Sequence, residues 1–345
     1  MLGLTNNSKG LHQMNDPGMI LANNCFDQMG ISSEWSIQNS RGWSWWGHRL
    51  RQNIKVDQPQ IHQGKPTSVV RVSTQLLAGM LIDLEAIQRE LCELNRNSVL
   101  TSYSWDGFGS SIYSTAVFIV HPENLLLDKL VSHTMQQQLA HAELLVDDLG
   151  QKLNADIAKS PHPDNGFRPY PDSILNSARN GMQSIDPIDL EDLAADLGIH
   201  FIALDLPIKE IAWTKSGEPT LTTQVEKFTY NISMVNSHKI TYGDTELEAG
   251  PGLLIEATGA YDMNPHAVPI LNDLDHTEEP NTHLLGGWWT QDTTPRLTQF
   301  VPFMPLYEAT EGDQKSLASL SIELIVSTIR RTTKAFAKPN QAPVC

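Results

Sequence analysis

The apolar residues of this chain change period in a set order, and they do so twice. Helical spacing gives way to strand-like alternation, then to a second helical tract, a two-strand stretch and a closing helix, and the second half repeats the order. In SVVRVSTQL (68–76), Val70, Val72, Thr74 and Leu76 point one way while Arg71, Ser73 and Gln75 point the other, as in a half-buried strand. Directly afterwards Leu81, Leu84, Ile87, Leu91 and Leu94 recur at helical spacing. Runs of strands set between helices imply an α+β chain with antiparallel sheets.

In the first half, Asp16-Pro17 opens a helix that Gly30 closes. Strands are expected at 33–38, 42–56 and 68–76, a helix from Ala78 to Arg96, strands at 99–105 and 111–120 around the turn DGFGS, and a long helix over 123–154. Residues 155–186 are rich in Pro, Asn, Asp and Ser and read as a linker, with a helical turn near 173–181. The second half offers a helix from Asp186-Pro187 to Gly198 and strands at 227–235, 239–243 and 252–260. A short helix near 264–275, a hairpin over 284–304 and a helix over 313–337 complete it. The expectation is two tandem α-βββ-α-ββ-α domains, 1–154 and 187–338, with a flexible tail at 339–345. Helices would cover one face of each sheet, and the two domains would pair as a pseudo-dimer.

A length of 345 residues suits two domains, and no apolar run reaches the roughly 20 residues of a membrane span. The start, MLGLTNNSKGLHQMN, has no basic segment followed by an apolar one, so a cleaved secretion signal is not expected. Cys25, Cys92 and Cys345 are odd in number and lack metal-type spacing, which fits reduced thiols in a cytoplasm. The net charge is −16, and between Lys239 and Arg296 the chain carries ten acids and no Lys or Arg. Nucleic acid would be repelled, because phosphate binding needs cations to displace counterions. An acidic surface suits solubility, or a partner with basic segments.

With its late hairpin LGGWWTQDTTPRLTQFVPFMP, a unit of helix, three strands, helix, hairpin and helix resembles the fold of type III secretion chaperones and of YbjN-like sensory regulators, here as two copies. That resemblance implies small acidic units of bacterial type that pair and grip polypeptide or partner surfaces without catalysis.

The stretch RGWSWWGHRL (41–50) holds three tryptophans in four positions. In a strand, Trp43 and Trp45 share one face and Trp46 and His48 the other. Each indole buries on the order of 200 Å², so an interior or interdomain place accounts for them more simply than water does. If exposed, Trp45, Trp46 and Arg49, together with Trp288 and Trp289, would form the partner-docking surface; Arg49 and Arg51 read as solvated strand-end charges.

NDLDHTEEPNTH (272–283) is the one candidate for metal chemistry, with Asp275, His276 and His283 as weak ligand candidates beside Asp273, Glu278 and Glu279, but it matches no H-E-x-x-H or EF-hand spacing. His133, His141 and Glu143 read as surface groups of the long helix, Cys25 and Cys92 as packing residues, and no nucleophile elbow or phosphate-binding loop occurs. The expectation is a non-enzymatic, cytoplasmic protein-binding module, chaperone-like or regulatory. It would need no cofactor, bind no nucleic acid or membrane, and exist as a monomer with an internal pseudo-dimer or as a weak homodimer. The alternative is a metal-dependent hydrolase centred on 272–283.

Overall fold

The computed structural model describes residues 16–62, 64–79, 83–106, 111–123, 127–175, 212–215, 219–236, 238–242, 245–277, 282–303, 305 and 314–336. The expected helix at 187–198, the end of the linker at 176–186, Ser110, Glu278, Glu279 and the tail at 339–345 lie outside them, as does the side chain of His276.

Helix α1 (Pro17–Met29) begins and ends where its caps dictate. The Asp16 carboxylate accepts from the Met19 amide at 3.2 Å, Pro17 sits in the first turn, and Gly30 takes the left-handed conformation at φ 62°. The same carboxylate accepts from the Arg41 guanidinium at 2.7 Å and the Ser68 hydroxyl at 2.9 Å, so the cap also fixes the helix to the first sheet.

The first strands are β1 (Ser36–Asn39), β2 (Gly42–Trp46), β3 (Arg51–Val56), the short β4 (Gln60–His62) and β5 (Lys65–Ala78). The expected single strand over 42–56 is thus a hairpin: β2 turns at Gly47–Leu50 and pairs with β3, Trp43 opposite Ile54 and Trp45 opposite Gln52. The turn is held from outside, because the Glu143 carboxylate accepts from the amides of Arg49 and Leu50, both at 2.8 Å. Helix α2 (Leu84–Arg96), strands β6 (Ser102–Asp106) and β7 (Ser111–Val120), helix α3 (Leu127–Leu153) and β8 (Asp156–Ile157) follow.

Residues 155–175, read as linker, lie against this sheet. Strand β8 pairs with the end of β5, His162 packs edge-on against Trp46, Arg168 donates to the Trp46 carbonyl at 2.9 Å, and Leu175 is fully buried. Within the expected turn at 173–181, residues 173–175 are helical.

In the second half, β9 (Ala212–Lys215) and β10 (Pro219–Val225) form a hairpin between the elements expected from the sequence. Then come β11 (Phe228–Val235), β12 (Lys239–Tyr242), β13 (Thr245–Glu248), β14 (Gly252–Gly259), helix α4 (Ala267–Thr277), β15 (Gly286–Gln291), β16 (Thr294–Pro302) and helix α5 (Gln314–Phe336). Strand β12, expected in the main sheet, pairs only with β13 in a separate ribbon. Asp292 and Thr293, both at positive φ, make the tight turn between β15 and β16.

The fold is α+β with antiparallel sheets. The first runs β1-β2-β3-β5-β7-β6 and the second β15-β16-β14-β11-β10-β9, which is the same order read from the other end. Among the described residues, four strands along the main path of each sheet, rather than three, therefore precede the middle helix of each half. The two halves meet reciprocally: α2 packs on β15 of the second half and α4 packs on β6 of the first. Val117 and Leu284 exchange backbone hydrogen bonds across the junction at 2.9 and 3.0 Å, and the Leu100 amide donates to the Phe300 carbonyl at 3.3 Å.

A cleft at the junction of the two halves as candidate functional site

The tryptophans, which would form a docking surface only if exposed, are interior. Trp45 and Trp288 have no exposed surface, and Trp46 and Trp289 almost none. Trp43 faces α1, donating to the Ala22 carbonyl at 3.1 Å, and Trp45 donates to Gln52 at 2.8 Å, whose amide reaches the Met135 carbonyl in α3. Trp46 faces the other side of the sheet and is covered by the 158–168 segment. Trp288 donates to Asp275 at 2.7 Å, and Trp289 lies between the guanidinium groups of Arg296 and of Arg96 from the first half. At roughly 25 cal/mol per Å² of apolar surface, each buried indole is worth several kcal/mol, which a docking role would forgo.

Arg49 is not a solvated strand-end charge either. It binds the fully buried Glu143 carboxylate through Nε at 2.9 Å and reaches Asp147 at the same distance. One guanidinium bond and two backbone amides satisfy a carboxylate that burial would otherwise penalise, while the Arg49 Nη2 donates to the Glu143 backbone carbonyl at 2.8 Å. His133 and His141, read as surface groups, are buried, and burial pushes both down to about 4.

The metal candidates are engaged as well. Asp275 accepts from the Arg331 guanidinium at 2.7 and 2.9 Å and from Trp288, so it braces α4 against α5. His283, buried just before β15, accepts from the Ile119 amide on Nδ1 at 3.3 Å, which places its proton on Nε2, 3.1 Å from Glu323. Its own amide donates to the Ser327 hydroxyl at 2.6 Å. Among the described residues no three His, Cys, Asp or Glu side chains are placed to hold a metal ion.

His283 instead marks one wall of a cleft of about 670 Å³ between the two halves. The first half supplies Asp57, Gln58, Gln60 and His62 from β4 and its approach, Thr67 and Val69 from β5, and Ile119 and His121 from the end of β7. Gln58, Gln60 and His62 alternate, so they share one face of the extended chain. The second half supplies one stripe of α5: Ser319, Ile322, Glu323, Val326, Ser327 and Arg330, at helical spacings of three and four. The opposite side of α5, including Leu317, Leu324 and Ile325, is core.

The His121 Nδ1 lies 2.9 Å from the Thr67 hydroxyl. Burial is the main cause lowering its pKa, assisted by His283, His62 and Lys65 and opposed by Glu323, so it is neutral at pH 7. Val69, Ile119, Ile322 and Val326 give the cleft apolar walls under a polar rim. The size and lining are those of a binding site.

Compared with models of known families, with curated proteins and with solved structures, the chain matches none. The cleft therefore has to be read from its own chemistry.

None of its residues except His283 was singled out from the sequence. One signal was there: Ser319, Glu323, Ser327 and Arg330 place polar groups every three or four residues along α5. The segment QPQIHQGKP (58–66), outside every strand expected from the sequence, carries β4.

Proposed function

We propose that the protein is a non-enzymatic binding module, chaperone-like or regulatory, acting as a single chain whose two halves pair with each other. Its site is the junction cleft, and its ligand is an extended segment of a partner protein. The observation that carries this reading is the pairing of a cleft with a free strand edge. Among the described residues β4 pairs with β5 on one side only, and its side chains are exposed. An added strand would gain main-chain hydrogen bonds along β4 while its side chains enter the apolar part of the cleft. The ionisable groups are consistent with holding rather than reacting: both ring nitrogens of His283 are engaged, and the Ser327 hydroxyl accepts from a backbone amide. No helix among the described residues is long and apolar enough to cross a membrane, and the acidic chain suits a cytoplasmic setting and a protein partner rather than nucleic acid.

The test is selection of peptides against the full chain, followed by affinity measurement on wild type and Val326→Trp, which fills the cleft. Selected peptides should bind the variant at least tenfold more weakly while its thermal midpoint stays unchanged. Equal affinity for both proteins, or cleavage of the peptides during the measurement, would overturn the reading.

A further inference from the structure

Taking the cleft as a peptide site, as above, we infer that the group it recognises is the free C-terminal carboxylate of the partner segment, met by Arg330. Arg330, the one Lys or Arg of the cleft lining, points to an anion although the chain as a whole is acidic. Five other arginines, Arg41, Arg49, Arg71, Arg168 and Arg331, are paired with Asp16, Glu143, Asp57, Asp172 and Asp275. Arg330 is exposed on the cleft stripe and has no ion pair among the described residues. The two carboxylates of the cleft are occupied: Asp57 lies 3.3 Å from Arg71 and 3.8 Å from Lys55, and Glu323 lies 3.1 Å from His283. Arg330 is therefore the one guanidinium of the cleft lining and has no ion pair among the described residues, and its planar fork suits a carboxylate.

The arrangement favours a chain end over an acidic side chain. Val326 and Arg330 stand one helical turn apart, with Cβ atoms about 5–6 Å from each other, and Ile322, one turn before Val326, and Ile119 also line the cleft. A C-terminal residue carries its carboxylate and its side chain on one Cα, so both reach that short span together. A Glu or Asp inside a passing strand presents its acid without an apolar group on the same Cα. Strand β4 is also only three residues long, Gln60–His62, which gives a short ladder suited to a terminus.

The experiment uses the full chain and three fluorescein-labelled decapeptide pools. The first has random residues ending in Leu with a free carboxylate, the second is its C-terminal amide, and the third is an amidated pool with one internal Glu. The acid pool should bind at least tenfold more tightly than the amide, the scale of one charge-assisted hydrogen-bonded contact. Arg330→Gln should abolish that difference, Arg330→Lys should keep part of it, and Val326→Trp should weaken both pools. Equal affinity of acid and amide overturns the carboxylate inference and leaves the peptide reading standing. An internal-Glu pool that matches the acid pool also overturns it, in favour of an acidic side chain. Failure of all three pools to bind overturns both.

Discussion

Asn95 in α2 and Asn272 in α4 hold the edge strands of the two sheets in the same way. The Asn95 amide donates to the Tyr103 carbonyl at 2.9 Å and accepts from the Tyr103 amide at 2.8 Å; Asn272 does the same to Trp288 at 2.9 and 2.8 Å. Each side chain thus substitutes for a missing neighbouring strand on β6 or β15. Each also touches the other half, Asn272 accepting from Ser102 at 3.4 Å and Asn95 lying against Gly287. Replacing either by Ala strands a buried N–H and C=O, so Asn95→Ala or Asn272→Ala should cost about 2–4 kcal/mol. Urea unfolding reads this as a lowered midpoint, and an unmoved midpoint would show that the bracing is dispensable.

Gly287 of the second half lies closely against Asn95 of the first. A Cβ there would lie inside the contact distance of the Asn95 Oδ1, Cγ and Cβ atoms, so a side chain forces the junction open. Gly287→Ala should destabilise the chain by more than about 1 kcal/mol, and Asn95→Ala in the same chain should recover part of the loss. A double-mutant cycle on melting midpoints measures the coupling. Simple additivity of the two substitutions would contradict the close approach.

Glu143 fixes the turn between β2 and β3 from α3. Glu143→Ala would leave the Arg49 and Leu50 amides and the Arg49 Nε without their acceptor, at a cost of about 3–5 kcal/mol. Asp147→Ala, which removes only the exposed partner of Arg49, should cost less than about 1 kcal/mol. Comparable losses for the two would refute the buried pair as the main constraint.

Acid should unfold the protein through its buried histidines. His133 and His141 are lowered by burial from 6.5 to about 4. Between those values the unfolded chain binds protons that the folded chain does not, so stability is full above pH 6.5 and declines as pH falls toward 4. The decline is of order 1–3 kcal/mol for each histidine. His133→Leu should flatten the profile of unfolding free energy against pH over that window. A variant profile parallel to wild type would assign the acid sensitivity elsewhere.

Trp45→Ala and Trp288→Ala should behave as core deletions, each losing about 3–5 kcal/mol. Circular dichroism melts on the two variants decide the matter. Full retention of stability would return these rings to the surface role considered from the sequence.

Much of the architecture could be read directly. The caps of α1 and the strand periods of β5 and β11 are local properties, set by side-chain spacing and turn chemistry. The hairpin of β2 and β3 was hidden because its turn, Gly47–Leu50, carries little turn chemistry of its own and is held by Glu143, far away in sequence. The packing of 155–175 was hidden for a related reason: a polar, proline-rich stretch looks like linker until Trp46 and Gly47 provide a surface for it.

From the sequence alone came the class of fold, mixed helix and antiparallel sheet, and the acidic character of the chain. These follow from periodicity and charge, which each segment carries with it. Only the tertiary structure decided that the tryptophans lie inside, that Asp275 and His283 are structural partners, and that β4 and α5 face each other across a cleft. Those outcomes depend on which distant surfaces meet, and contact between residues far apart in the chain leaves no period in the sequence to be read.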